Sequence, residues 1–355
     1  MLIVIKIGSN VLTRADGTLD ITRLSSIVDQ TAALRRLGHK VVLVSSGAVA
    51  SGRGELRDMG LTHLDSVSSR QLFSAVGQAK LINHYYDFFR EHGLHCGQVL
   101  ATKENLGRRG HYLNQRHCIE TMLAHGVVPI VNENDTVSVT ELMFTDNDEL
   151  AGLIATMVNA DRLFILSNID GLYTGDPSDS TSQLIQRVRP GDDISDFIAG
   201  THSSHGRGGM QSKSRIARRV AAEGIEVRIA NGTRPGIIEA LATDSDVPCT
   251  IFEASARTVE GIKKWIAHSD AFATGAVRVD AGAAEALAAG ASLLPVGVTE
   301  IVEDFDADDI IIISDAYGTT IGWGRAEYDS TTARGYLSAS GCPVLVHADY
   351  LFIDR

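Results

Sequence analysis

The sequence predicts an α/β protein: an open three-layer αβα sandwich with a mostly parallel sheet, followed by a small, mostly-β C-terminal domain. Short β-branched runs alternate with amphipathic stretches up to about Ile251, the pattern of a parallel sheet covered on both faces. Clusters of Gly, Ser, Asn and Asp directly follow several of those runs. Beyond Ile251 the pattern changes, and the later runs are separated by turns.

Strands are expected at Leu2 to Ile7, Lys40 to Ser45, Leu94 to Leu100, Val127 to Val131, Arg162 to Ser167 and Glu226 to Ala230. The first helix runs from about Ile21 to Leu37, with Asp20 as N-cap and Gly38 where a C-cap glycine belongs. Further helices cover roughly Ser69 to His92, His111 to His125, Asn147 to Asn159 and Met210 to Glu223. A helix-like linker, Thr258 to His268, leads to short runs at Gly275 to Val279, Asp309 to Ile313 and Pro343 to Val346. The domain boundaries read from this pattern are 1–255, 256–273 for the linker, and 274–355.

The chain has 355 residues, enough for two domains. Hydrophobic residues make up 44% and charged residues 21%, an ordinary globular balance. Met1 to Ile7 carries Lys6 inside an apolar run and reads as a first strand rather than a leader. No apolar run approaches the length of a membrane helix, and a net charge of −12 disfavours anionic membrane surfaces. A cytoplasmic protein is expected. The four cysteines are far apart and form no C-x-x-C pair, so neither a zinc site nor a disulfide framework is suggested. The segment from Thr274 to Arg355 holds thirteen acidic and four basic residues, most of the negative excess.

Five segments carry candidate chemistry. Lys6-Ile7-Gly8-Ser9-Asn10 ends the opening strand, and ligands of open α/β sheets bind beyond such strand ends. Lys6 supplies a cation there and Gly8 allows close approach of a phosphate; alone, Lys6 is equally a lysine extending its stem to reach solvent. Ser45-Ser46-Gly47-Ala48 follows the second strand and suits a nest of backbone amides, as any tight strand-to-helix turn does. Asn132-Glu133-Asn134-Asp135 sets two amides and two carboxylates at another strand end, where they could hold an amino group or a magnesium ion. Thr145-Asp146-Asn147-Asp148-Glu149 opens a helix; capping accounts for one or two of these residues, hardly for all of them. Gly206-Arg207-Gly208-Gly209-Met210-Gln211-Ser212-Lys213 is glycine-rich backbone running into a helix N-terminus, a phosphate cradle with Lys213 one turn inside. The G-x-x-x-x-G-K-[ST] spacing of a P-loop is absent. Ser167-Asn168 and the turn-rich stretch to Pro177 could rest against a nucleotide base.

Taken in order, K-x-G-S, S-S-G-A, N-E-N-D, D-N-D-x-L, D-G-L-Y-T-x-D-P and G-G-M-x-x-K resemble the amino acid kinase family over essentially the whole chain, and the C-terminal segment is similar to a PUA domain. The resemblance implies the amino acid kinase fold and transfer of the ATP γ-phosphate to the γ-carboxylate of L-glutamate, with Mg2+, as the first step of proline synthesis. It implies that Lys6 and Lys213 contact ATP, that Asp148 orients them, and that Ser46, Gly47, Asn132, Asp135, Asn147 and Asp148 hold glutamate. Gly8, Ser167, Asn168, Arg207, Gly208, Gly209, Met210, Gln211, Ser212 and Lys213 would line the nucleotide site; no residue is assigned to a protein metal site. Family members often carry Thr-Asp at Ser167-Asn168 and Thr at Arg207. Inhibition by proline and a homodimer or homotetramer belong to the same implication.

Two relatives of this reading are kinases of acetylglutamate or aspartate. An RNA-binding role for the PUA-like segment conflicts with its acidity, because phosphate backbones are bound by Lys and Arg. A dinucleotide-dependent dehydrogenase would need G-x-G-x-x-G after the first strand, and the Gly8 loop lacks it.

Overall fold

The computed structural model describes residues 1–60, 64–107, 109–137, 147–194, 209–256, 273–337 and 341–353. They form two compact units, one of Met1–Thr102 with Arg116–Thr258 and one of Lys103–Gln115 with Val259–Arg355. The expected linker falls almost entirely outside the described residues.

In the first unit the elements are β1 (Leu2–Ile7), α1 (Ser9–Leu12), α2 (Ile21–Arg36), β2 (Lys40–Val44), α3 (Ala48–Glu55), α4 (Ser66–Glu91), β3 (Cys96–Ala101), α5 (Lys103–Gly107), α6 (Arg109–Ala124), β4 (Val128–Glu133), α7 (Asn147–Met157), β5 (Arg162–Ser167), β6 (Arg187–Val188), α8 (Met210–Ala222), β7 (Glu226–Asn231), α9 (Ile237–Ala242) and β8 (Cys249–Phe252). Of these, α5 and the start of α6 group with the second unit. The strands form a single eight-stranded sheet in the order β3-β4-β2-β1-β5-β7-β8-β6. Strands β3, β4, β2, β1, β5 and β7 are parallel, so their carboxyl ends share one rim. The β7–β8 pair is antiparallel, which turns the sheet's far edge against the rest.

The expected elements of this unit all form, two strands with the expected ends and the others with ends displaced by at most three residues. Asp20 caps α2 by accepting from the Arg23 N–H at 3.1 Å, and Gly38 takes the left-handed φ of +83° just past the helix. β8 and β6 lie outside the expected set. They are strands of four and two residues, β6 at the sheet's edge and β8 next to it, too short to show a period.

The alternation of β1 decides where the chemistry goes. Ile3, Ile5 and Ile7 enter the core cluster shared with Leu24, Ile27 and Val28 of α2, Leu81, Tyr85 and Phe89 of α4, and Ile237, Ile238 and Leu241 of α9. Successive side chains leave a strand on opposite faces, so Lys6 faces the other layer, where its ammonium meets Asp148 of α7. A lysine between isoleucines is thus compatible with a strand buried on both faces.

Helix α3 lies unusually close to α4. A Cβ on Gly52 would stand 1.9 Å from the Phe73 carbonyl oxygen, and one on Gly77 would stand 1.8 Å from the Ala48 carbonyl oxygen. Glycine on both sides is what allows two backbones to touch, and α3 is the helix that follows the Ser45-Ser46-Gly47 turn.

In the second unit β9 (Gly275–Val279), α10 (Ala281–Ala288), β10 (Val298–Glu303), β11 (Ile310–Ser314), β12 (Thr320–Arg325), α11 (Ser330–Tyr336) and β13 (Leu351–Ile353) build a five-stranded sheet in the order β10-β9-β11-β12-β13. Only the β9–β11 pair is parallel among these. Val277, Val279, Leu287, Leu293, Ile311, Ile313, Leu345 and Val346 belong to its core. The run at Pro343 to Val346, expected as a strand, is a correction: it makes one isolated bridge, Leu293 with Val346. Its apolar side chains fill the core without a ladder, and Pro343 has no N–H to give one. Strands β10, β12 and β13 were absent from the expectation; Gly322 and Gly324 break the β-branched signature of β12.

Replacing Gly77 with Ala should destabilise the first unit by about 1–3 kcal/mol or more, because the new methyl meets backbone rather than a movable side chain. A lowered midpoint in thermal unfolding monitored by circular dichroism checks this; an unchanged midpoint would mean that the α3–α4 contact is looser than described.

Candidate active site

Three of the five segments meet at the shared rim, and the other two enter through their described parts. The centre is Asp148, second residue of α7 and fully buried. Its Oδ1 lies 2.6 Å from Lys6 Nζ and its Oδ2 lies 2.9 Å from Lys213 Nζ. Both lysines are themselves buried. Burial pushes the Asp148 carboxyl up, but the charges of Lys6 and Lys213 and their hydrogen bonds outweigh it and hold the group below its ordinary value. One carboxylate shared by two ammonium groups leaves a surplus of one positive charge in a dry setting, which favours an arriving anion.

Gly8 seats this arrangement. Its N–H donates to the Leu166 carbonyl at 3.0 Å, and a Cβ would come within 2.9 Å of that oxygen and 3.4 Å of Lys6 Nζ. The expected close approach of a phosphate therefore rests on the missing side chain beside Lys6, since the Gly8 amide is already engaged. On the far side, Gly209 is the N-cap of α8, and Lys213 lies in the first turn, so the helix N-terminus and the lysine face the same charge. Met210 is buried in the protein and Gln211 is exposed. Ser167 closes β5 as a buried residue; Asn168 follows it, exposed, with Ser167 Oγ 3.4 Å from Asn168 Oδ1. Arg207, Gly208, Thr145 and Asp146 lie outside the described residues.

A second cluster forms on the β2–β4 side. The Asn147 amide group donates to the Ser45 carbonyl at 2.9 Å, to Ser46 Oγ at 3.1 Å and to Asn132 Oδ1 at 3.1 Å. Asn147 and Asp148 are adjacent, so α7 delivers one side chain to the lysines and the next to the turn after β2. Gly47 has φ of +101°, a conformation that costs glycine little, and this lets the chain turn into α3. The Ser45 hydroxyl is fixed to the buried Tyr85 hydroxyl at 2.8 Å. Tyr85 is pushed above the usual phenol range by burial, so it stays a neutral hydrogen-bonding group.

Asp135 marks a third position. Arg70 donates to its Oδ1 from Nε at 3.0 Å and from Nη2 at 2.6 Å, and Ser74 Oγ donates to Oδ2 at 2.8 Å. Gln78 reaches the Glu133 carbonyl at 3.2 Å. Arg70, Ser74, Gln78 and Tyr85 are absent from the sequence-based candidates. The signal was present in the recurrence of polar side chains at 70, 74 and 78, one face of a helix, opposite an acidic loop.

Among the described residues no three His, Cys, Asp or Glu side chains come together to hold a metal ion. Asp148 is committed to two lysines. Magnesium fits this donor set as a companion of nucleotide phosphates, its usual mode, rather than in a protein cage. No helix of the described residues is long and apolar enough to cross a membrane.

Asp148→Asn would leave two buried ammonium groups without their counter-charge, at a cost of about 3–5 kcal/mol. The difference from wild type should be full above the ordinary Asp value of 3.8, where the carboxylate is charged in both states, and shrink as pH falls through the lowered native value. Denaturant unfolding of both proteins across acid pH measures it.

Residues 1–231 match the family model described as the amino acid kinase family, and residues 275–338 match the PUA domain. A glutamate 5-kinase of Bacteroides thetaiotaomicron is 55% identical over 355 residues, covering 99% of this chain and 98% of its own. A glutamate 5-kinase of Chlorobaculum tepidum is 43% identical, covering 99% and 97%. The structure of a carbamate kinase from Giardia lamblia bound to AMP-PNP superimposes with a TM-score of 0.54 at 16% identity, over 72% of this chain and 98% of the other, a likeness of fold alone. With the match spanning seven of the sheet's eight strands, the two lysines and their shared carboxylate, the chain belongs to the amino acid kinase family.

Proposed function

We propose that this protein is a glutamate 5-kinase, transferring the γ-phosphoryl group of ATP to the γ-carboxylate of L-glutamate. The observation that carries the reading is the joining of Lys6 and Lys213 by one buried carboxylate at the carboxyl rim of the sheet. The near-full-length similarity to glutamate 5-kinases supplies the acceptor.

In the transfer an oxygen of the acceptor carboxylate forms a bond to the γ-phosphorus while the bond from that phosphorus to the β–γ bridging oxygen breaks. The products are glutamyl 5-phosphate and ADP, and the electron pair of the broken bond stays on ADP. A carboxylate acceptor is already ionised near neutral pH, so no residue has to remove a proton. What remains is positioning and charge stabilisation. Lys6 and Lys213 lie where negative charge spreads over the transferring group, and Asp148 keeps both ammonium groups aimed at it. Magnesium, when bound with the nucleotide, neutralises phosphate charge.

Asn147, Asn132, Ser46 and Gly47 belong to the acceptor side, with Asp135 facing the acceptor's amino group. Ser167, Asn168, Gly8 and residues 207–213 belong to the nucleotide side. The catalytic domain is taken as 1–255, a linker as 256–273 and the PUA-like domain as 274–355. The acidity of that last domain supports a role in interaction or regulation over RNA binding. A cytoplasmic location, inhibition by proline and a homo-oligomeric state follow from the same reading.

Mixing the protein with magnesium-ATP, L-glutamate and hydroxylamine should release ADP and trap the acyl phosphate as its hydroxamate; acetylglutamate and aspartate should give little. Lys6→Ala and Lys213→Ala should each lower kcat about a hundredfold or more, as for a lost charge stabiliser. Near-normal turnover in either variant would remove that lysine from the site.

A further inference from the structure

We propose that Arg70 and Ser74 are positioning residues that set the enzyme's demand for an α-amino group, by holding Asp135 so that one acceptor position is left for an ammonium. The inference rests on the glutamate reading above. A carboxylate has two oxygens, each with two lone-pair positions. Arg70 fills both positions of Asp135 Oδ1 with two N–H donors, at 3.0 and 2.6 Å. Ser74 takes one position of Oδ2 at 2.8 Å. One position on Oδ2 remains, on a carboxylate that is itself nearly buried.

The fixing elements are rigid. Arg70, Ser74 and Gln78 recur every four residues on α4, and all three bond the segment from Glu133 to Asp135. The neighbouring face of the same helix, at Phe73 and Gly77, meets the backbone of α3 beyond the Ser46-Gly47 turn. Helix α4 thus ties the turn after β2 to the loop after β4. Arg70 Nη2 also lies 3.6 Å from Glu133 Oε2, so one guanidinium serves two neighbouring carboxylates. Without it, Asp135 would lose its two charge-assisted bonds.

Glutarate is glutamate without the α-amino group and keeps a carboxylate for phosphorylation, so it isolates this function. Wild type should prefer L-glutamate to glutarate in kcat/KM, by hydroxamate yield. In Arg70→Gln and in Ser74→Ala that preference should collapse about tenfold or more, the scale of a lost hydrogen bond to a charged group. The change should appear as a raised KM for glutamate, with kcat reduced far less and KM for ATP little altered. Arg70→Lys should restore part of the preference, because charge returns without the fork. A preference retained by both Arg70→Gln and Ser74→Ala, or a loss in which kcat and both KM values change together, would overturn the assignment. No hydroxamate from wild type with either acid would instead overturn the glutamate reading and this inference with it.

Discussion

The buried carboxylate of Asp148 is the constraint on which the site depends. Two ammonium groups cannot be kept close together away from water unless something between them carries negative charge. Lys6 comes from the central strand β1 and Lys213 from the first turn of α8, far apart in sequence, and Asp148 at the start of α7 is where they meet. Its two oxygens serve one lysine each. The group stays ionised because two cations outweigh the penalty of burial. The result is a preformed positive surplus that, in the proposed reaction, would need no rearrangement when charge develops on a transferring phosphoryl group.

Around that centre the sheet distributes tasks by period. Alternation along β1 gives three isoleucines to one layer and Lys6 to the other. Consecutive residues on α7 divide similarly: Asn147 ties the turn after β2 to Asn132 at the end of β4, and Asp148 ties the lysines. Two polar clusters are thereby fixed by one helix start. Movement of α7 would disturb both, which couples the Asn147 cluster to the lysine cluster without any longer route.

Much of this was legible in the sequence. Strands β1, β2, β3, β4, β5 and β7 announced themselves because a parallel sheet buried on both faces needs continuous apolar runs. The polar residues at their ends stood out against those runs, and Lys6, Asp148 and Lys213 were all among the candidates. What could not be read was contact. Nothing in the order of residues says that Asp148 bridges two lysines rather than capping α7, or that the Gly8 amide is spent on Leu166. The small strands also escaped, β6 and β8 for lack of length and β12 because Gly322 and Gly324 dilute its pattern.

Helix α4 is the most instructive omission. Its signals were distributed over faces: glycine where it meets α3, aromatic residues where it meets the core, and polar residues where it meets the loop after β4. Each face taken singly is ordinary for a long surface helix. Only with the sheet in place does it emerge that the polar face lies along Glu133 and Asp135, so that a helix contributing no residue to the recognised motifs fixes an acidic group those motifs supply. A motif names the side chains that meet a ligand, whereas their aim is set by neighbours whose identity depends on the packing, and for Asp135 those neighbours are Arg70 and Ser74.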